Sequence, residues 1–264
     1  MTSSAAVARR RKPLPTALIL LAGFLLTGLA YTALGGGGRA NAEDTASSTQ
    51  VEEGAKLFRV GCSSCHGLNA QGGGQAPSLV GVGAAAVDFQ VSTGRMPLAA
   101  NGPQAERKTP RYTRQQIEAL AAYVASLGSG PAIPSADQLA GVKDADIAAG
   151  GELFRTNCAS CHNFAGKGGA LTHGKYAPGL KDADARQLYE AMVTGPENMP
   201  VFSDAQISPE DKLKLIAYIE HLEAQPDPGG FGIGRVGPIP ETIVAFLVGI
   251  IGCVIFALWI GART

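Results

Sequence analysis

The sequence predicts a mainly α chain made of two tandem copies of one small domain, with an apolar helix near each end. Three observations predict this architecture: an internal repeat, a helix-start signal before the last apolar stripe of each copy, and a long charge-free apolar run near each terminus. We expect a signal or anchor segment at 1–42, domains at 51–128 and 146–224, linkers at 129–145 and 225–240, and a transmembrane helix at 241–261.

The N-terminal segment 1–42 has the layout of a secretory signal peptide. The basic residues Arg9–Lys12 precede an apolar run from Thr16 to Leu34, and an A-x-A-like site follows at Ala40–Ala42. Because the run is close to the length of a membrane span, an uncleaved N-terminal anchor is an alternative. Both alternatives place the chain from residue 43 onward outside the cytoplasm, since the basic residues stay inside.

The internal repeat centres on two short patterns of the same type. Cys62-Ser63-Ser64-Cys65-His66 recurs as Cys158-Ala159-Ser160-Cys161-His162, at an offset of 96 residues. Further along, the offset is 103 between Met96-Pro97 and Met199-Pro200. Since shared elements at changing offsets imply loop insertions between them, the pattern indicates a duplicated domain rather than a solenoid.

The repeated C-x-x-C-H pattern is typical of c-type haem attachment, in which two thiols bind the vinyl groups of one haem and the His ligates its iron. A zinc site would need two C-x-x-C pairs close together, and a thioredoxin-like pair would need a βαβ setting. Neither context occurs in the sequence. The sequence therefore predicts two covalently bound haems c, one at Cys62, Cys65 and His66 and one at Cys158, Cys161 and His162. Only one further cysteine, Cys253, remains, so no disulfide framework is available.

Two methionines are the expected distal iron ligands. Met96 and Met199 occupy the same place in the repeat, each after Thr-Gly and before Pro, whereas Met192 lies on a helical stripe and is explained by core packing. His/Met ligation closes the iron to substrates and raises its potential. The predicted metal ligands His66, Met96, His162 and Met199 therefore indicate electron transfer rather than catalysis at the haem.

The other two histidines fit this scheme less well as ligands. His173 and His221 have no counterpart at their places in the other copy, so a solvated or locally hydrogen-bonded imidazole explains each of them.

Each copy ends in a helix whose start is readable from sequence. Thr113–Gln116 forms a capping box, and Ser208 is an N-cap followed by Pro209 at the first helical position. Apolar residues follow at helical spacing in both copies. We expect these closing helices to pack against the haem-bearing helices, and we expect residues 43–50 to be a flexible spacer.

The C-terminal apolar run from Ile243 to Ile260 carries no charge and is long enough to span a membrane. A buried core helix is the alternative. Arg263 beyond the run fits a cytoplasmic C-terminus.

The net charge of the chain is zero but unevenly spread. Five basic residues and no acidic one lie in 1–42, which leaves 17 basic against 22 acidic residues beyond residue 42. Nucleic acid binding requires a clustered basic face, so we expect no nucleic acid partner.

Each repeat resembles a class I cytochrome c domain in its order of helix, C-x-x-C-H, Pro-x-Leu loop, distal Met and closing helix. The chain from residue 52 onward resembles the dihaem cytochrome c subunit (cytochrome cc) of the actinobacterial cytochrome bcc complex, a menaquinol–cytochrome c reductase. The matching stretches are 89–97, 153–164 and 257–263. The class I resemblance implies that the carbonyls of Pro77 and Pro178 accept hydrogen bonds from the proximal histidines.

The bcc resemblance implies an electron-transfer subunit of a translocase, without a catalytic site of its own. Its implied partners are cytochrome b, the Rieske iron–sulfur protein and an aa3-type oxidase, with the haem domains on the extracytoplasmic side of the cell membrane. From the residues alone, the membrane-anchored cytochrome subunit of a periplasmic dehydrogenase is an alternative. A dihaem peroxidase is a third, which the paired Met-Pro sites disfavour.

Overall fold

The structure is a computed structural model that describes residues 14–34, 47–225 and 238–263. The basic cluster and the A-x-A-like site of the predicted signal peptide, the first residues of the predicted spacer and most of the predicted linker 225–240 lie outside the described residues. Helix α1, Leu14–Leu34, belongs to a unit separate from that of the two domains. Its described side chains, from Leu18 to Leu29, are exposed.

The first domain contains four helices, which are α2 Ser48–Gly61, α3 Ser63–His66, α4 Gly83–Ser92 and α5 Arg114–Ser126. Ser47 caps α2 by accepting a hydrogen bond from the backbone N–H of Gln50, so the last three residues of the predicted spacer 43–50 are helical instead. The predicted capping box of α5 is present, with Thr113 and Gln116 bonded reciprocally.

The second domain repeats this order with additions. Its elements are α6 Ala136–Ala140, a 3-10 turn Gly141–Asp144, α7 Ile147–Asn157, α8 Ala159–His162, the short antiparallel strands β1 Gly169–Ala170 and β2 Tyr176–Ala177 around a 3-10 turn Thr172–Gly174, α9 Ala185–Thr194 and α10 Pro209–Ala224. The segment 129–145, predicted as a linker, is therefore helical in its second half, and its Val142 is buried in the core of the second domain. Ser208 caps α10 with Pro209 in its first turn, as predicted.

The closing helices cross the haem-bearing helices at a glycine in both domains. In the first, a Cβ on Gly54 of α2 would lie 2.6 Å from the carbonyl carbon of Ala119 in α5. In the second, a Cβ on Gly150 of α7 would lie 2.6 Å from the carbonyl carbon of Lys214 in α10. One turn later, Phe58 and Phe154 are each no more than 1% exposed. The missing side chain lets each pair of backbones touch, which seats the phenylalanine in the core.

This crossing carries a prediction for stability. Gly150→Ala forces α7 and α10 apart, because the new methyl group would also lie 3.0 Å from Cβ of Tyr218. We expect the free energy of unfolding to fall by roughly 1–3 kcal/mol, as for other overpacked cores. Chemical denaturation of the haem-loaded chain measures it. Gly73→Ala is the control, since nothing lies within 4 Å of a Cβ there, and an equal loss in both variants would contradict the crossing as the cause.

The two domains meet along α4 and α9, the helices that precede the two Met-Pro pairs. Asp88 of α4 is fully buried and accepts two hydrogen bonds from Arg114 of α5, at 2.6 and 3.0 Å. From α9, Glu190 is also fully buried and Arg186 lies 3.8 Å from Asp88. Burial, together with the neighbouring Asp88 carboxylate, raises the pKa of Glu190 to about 10. A buried, protonated carboxyl therefore sits at the domain interface.

Helix α11, Pro238–Gly261, carries the predicted C-terminal span. Its part from Pro240 to Gly261 has a mean hydropathy of 2.9 and is long and apolar enough to cross a membrane, with none of it buried against other described residues. Near its end, the guanidinium of Arg263 lies 4.2 Å from the ring centre of Trp259. The exposure of this helix argues against the alternative of a buried core helix.

Candidate haem sites

Each C-x-x-C-H segment forms one turn of helix directly after a longer one. Cys62 ends α2 and Cys158 ends α7, and in each turn the backbone N–H of the His donates to the carbonyl of the first Cys, at 3.0 Å for His66 and 2.9 Å for His162. All four cysteines are free thiols. Burial raises the pKa of Cys62 and Cys158 to about 11, and the neighbouring second Cys adds to this. Before a haem is attached, the first thiol of each pair is therefore protonated at neutral pH.

The proximal histidines are held the same way in both domains. Nδ1 of His66 donates to the carbonyl of Pro77, and Nδ1 of His162 to that of Pro178, each at 2.9 Å. This is the contact that the class I resemblance implies. Because a carbonyl only accepts, Nδ1 carries the proton and the lone pair of Nε2 is free for a metal. Burial lowers the pKa of His162 and so favours the neutral ring, against the opposing effect of the hydrogen bond to Pro178.

Two glycines shape the loops that bring these prolines to the histidines. Gly72 has φ of 80° and Gly168 has φ of 83°, and their N–H groups donate to the carbonyls of His66 and His162 at 2.7 and 2.8 Å. A Cβ on either glycine would lie 2.7–2.8 Å from the carbonyl carbon of the proline. Only glycine meets both demands, which explains its recurrence in the repeat.

The second domain contains a cavity of about 450 Å³ whose wall includes the predicted ligands. Cys158, Cys161, His162 and Met199 all line it, with Pro178 behind the histidine. The rest of the lining is mainly apolar. Helices α7, α9 and α10 contribute part of it, and the segments 176–183 and 196–202 contribute more. The volume lies within the range of pockets that hold organic cofactors, about 300–1,000 Å³.

Met192 also lines this cavity, although it is 5% exposed and packs in the core as predicted. No sequence signal places Met192 at the cavity, because the helical stripe that puts it in the core does not tell which core residues face a ligand.

In the first domain, the predicted ligands gather around one buried cluster. Cys62 and Met96 both pack against the cluster that contains Phe58 and Leu120, while His66 is fixed by Pro77. The remaining histidines lie apart. His173 is exposed, and His221 is exposed with its Nε2 2.8 Å from Nε2 of Gln225.

The first domain also contributes to the wall of the cavity in the second. Phe89, Arg95, Gln104, Ala105 and Arg107 all line it. Three hydrogen bonds between the domains, each 2.9–3.0 Å long, hold this wall in place. They run from Ala105 N to Glu197 Oε1, from Arg107 Nη2 to Gln187 Oε1 and from Tyr176 N to Gln104 Oε1. Sequence reasoning missed these residues. In the repeat, Arg95 corresponds to Asn198, so no shared signal marks it.

These residues fit a covalent haem. One imidazole and one thioether are too few ligands for an isolated metal ion, but they complete the coordination of an iron whose other four positions a porphyrin supplies. No group of three or more His, Cys, Asp or Glu side chains that could hold a metal ion occurs within the described parts of the chain. The free thiols and the mainly apolar cavity match the vinyl groups and the ring.

Comparison with known proteins agrees with this geometry. The family model "Cytochrome c" matches residues 51–128, and the model "Cytochrome C oxidase, cbb3-type, subunit III" matches residues 145–219. Both domains are therefore cytochrome c domains, which implies covalent haem c.

Relatives match over most of the chain. A protein of Corynebacterium diphtheriae named "Cytochrome bc1 complex cytochrome c subunit" is 43% identical over 100% of both chains. Two further proteins carry the same name. The one from Mycobacterium bovis is 44% identical over 97% of this chain and 93% of the relative, and the one from Corynebacterium efficiens is 47% identical over 81% of this chain and 77% of the relative. This near full-length identity agrees with the two cytochrome c domains and with the C-terminal apolar helix. The chain therefore belongs to the family of cytochrome c subunits of the cytochrome bc1 complex.

Proposed function

We propose that this chain carries two haems c and conducts electrons from a Rieske iron–sulfur protein to an aa3-type oxidase, within a quinol–cytochrome c reductase complex that also contains cytochrome b. The observation that carries the proposal is the duplicated proximal site, in which both C-x-x-C-H histidines donate from Nδ1 to a loop proline at 2.9 Å. Two equal sites in one chain suit a relay with two steps.

When bound, each haem supplies an iron that gains and loses one electron. The chain's own residues set how that happens. The cysteines would attach each haem covalently, and the His/Met pairs would ligate its iron; the proposed cofactor-binding set is Cys62, Cys65, His66, Met96, Cys158, Cys161, His162 and Met199. The proline carbonyls fix the histidine rings and make them more basic ligands, and the apolar walls exclude water.

The same assignment argues against catalysis by this subunit. A ligand on each face of the iron leaves no open position for a reactant. We therefore propose that the chain takes part in the reductase reaction as a conductor, without a catalytic site of its own.

The apolar helix α11 and its last residues support a membrane arrangement for the chain. We propose that α11 anchors the chain in the cell membrane, with the domains 51–128 and 146–224 on the extracytoplasmic side and the C-terminus in the cytoplasm. The stacked Trp259 and Arg263 support this orientation, because aromatic residues favour the interface and Arg favours its cytoplasmic side.

The test is to isolate the tagged chain from native membranes in mild detergent. We expect intact mass to show two covalently added haems, and we expect cytochrome b and the Rieske protein to co-purify and to reduce both haems when a quinol is added. Co-purification of a dehydrogenase catalytic subunit instead would overturn the proposed direction of electron flow. Peroxide or cyanide binding to the reduced chain would overturn the closed-iron assignment.

A further inference from the structure

Arg95 is a buried cation with an unused hydrogen-bond donor. The residue is only 7% exposed, its guanidinium lies 4.9 Å from the ring centre of Phe89, and it lines the cavity of the second domain although it belongs to the first. Its Nη1 has no hydrogen-bond partner among the described residues. An unpaired charged donor away from water loses its hydration without compensation, so a native structure needs an acceptor for it.

The charges around this cavity point to an anion as that acceptor. The cavity wall carries three cationic side chains but only two carboxylates. The cations are Arg95, Arg107 and Lys181, and the carboxylates are those of Asp182 and Glu197. One oxygen of Glu197 already accepts from Ala105 N, and Arg107 bonds to the neutral side chain of Gln187.

A haem c brings its own anions, because its ring carries two propionate carboxylates. Guanidinium groups form strong, charge-assisted hydrogen bonds with carboxylates. We propose that Arg95 of the first domain donates from Nη1 to a propionate of the haem held by the second domain. The proposal rests on the second haem proposed above, and it makes Arg95 a cross-domain positioning residue for that haem.

The place of Arg95 in the chain gives this contact a further meaning. The next residue is Met96, the proposed distal ligand of the first haem. Two consecutive residues of one loop would then hold the two haems, Met96 the first and Arg95 the second.

The test compares Arg95→Leu and Arg95→Lys in the full, haem-loaded chain. A cation beside a haem favours the reduced form, because reduction adds a negative charge. We therefore expect Arg95→Leu to lower the midpoint potential of the second haem, and to shift the propionate bending band of one haem in the resonance Raman spectrum. Arg95→Lys, which keeps the charge, retains most of the wild-type potential. The redox step that Met199→His shifts identifies the second haem.

Arg59→Leu is the matched control, since Arg59 is an exposed arginine of the same domain outside the cavity wall. We expect it to leave the second haem's potential and the propionate bands unchanged. Unchanged potential and bands in Arg95→Leu, or a shift confined to the first haem, would overturn the proposal. The intact mass of the wild-type chain tests the two-haem proposal separately. A mass with fewer than two added haems would contradict the second haem itself, whatever the result for Arg95→Leu.

Discussion

Replacing Met199 with Ala is expected to abolish the sulfur–iron absorption band of one haem and to leave that of the other in place. Losing the thioether also lowers the midpoint potential of the affected haem, because methionine ligation raises it. A fall on the order of 0.1 V or more is expected, since axial ligands move haem potentials over about 0.8 V. Absorption spectra and redox titration of the purified chain measure both effects.

Met192→Leu is the control that makes this experiment decisive. Met192 lines the same cavity as Met199, so a sulfur ligand could in principle come from either side chain. We expect Met192→Leu to keep the band and the potential. Loss of the band in Met192→Leu but not in Met199→Ala would reverse the assignment.

Glu190→Gln is expected to stabilise the chain by about 3 kcal/mol at pH 7. Glu190 is fully buried and faces Asp88, which Arg114 already binds through both oxygens. Its pKa rises from 4.5 to about 10 in the folded state. Between these values the unfolded chain has lost a proton that the folded chain keeps, so stability falls as the pH rises, by up to about 1.4 kcal/mol per pH unit.

The pH dependence provides the measurement. Glutamine stays neutral, so the stability of Glu190→Gln lacks this downward slope between pH 5 and pH 9, and the two curves meet below pH 4.5. Denaturation midpoints of haem-loaded samples at several pH values test it. Glu220→Gln changes an exposed carboxyl and is expected to alter stability by less than about 0.5 kcal/mol. Parallel curves for the wild-type chain and Glu190→Gln would contradict a protonated Glu190.

Most of the architecture could be predicted from sequence because its signals are local. The caps of α5 and α10 and the length of the last apolar run each depend on a short stretch of neighbouring residues. The duplication is visible because short local patterns recur 96–103 residues later. The mainly helical fold with two cytochrome c domains is confirmed. The sequence does not predict helix α6, because it follows a Gly/Pro-rich stretch. Its Leu139 and the nearby Val142 pack into the core of the second domain, and this contact is not visible in the local sequence.

The proposed site likewise contains residues that the sequence predicts and residues that it does not. C-x-x-C-H and the repeated Met-Pro mark the proposed ligands by spacing alone, and their roles stay predictions. The contribution of Arg95 and Arg107 to the other domain's cavity could not be predicted, because it depends on how α4 packs against α9. For the same reason, neither Asp88 nor Glu190 is distinguishable in sequence from a carboxylate on a solvated helix face.

The shared cavity wall has a consequence for the speed of conduction. Electron tunnelling slows steeply with the gap between donor and acceptor. Here the spacing of the two domains is set by the packing of α4 on α9 and by hydrogen bonds such as the one from Ala105 to Glu197, not by the reach of a tether. In the proposed relay, an electron would therefore pass between the domains without either half of the molecule having to swing.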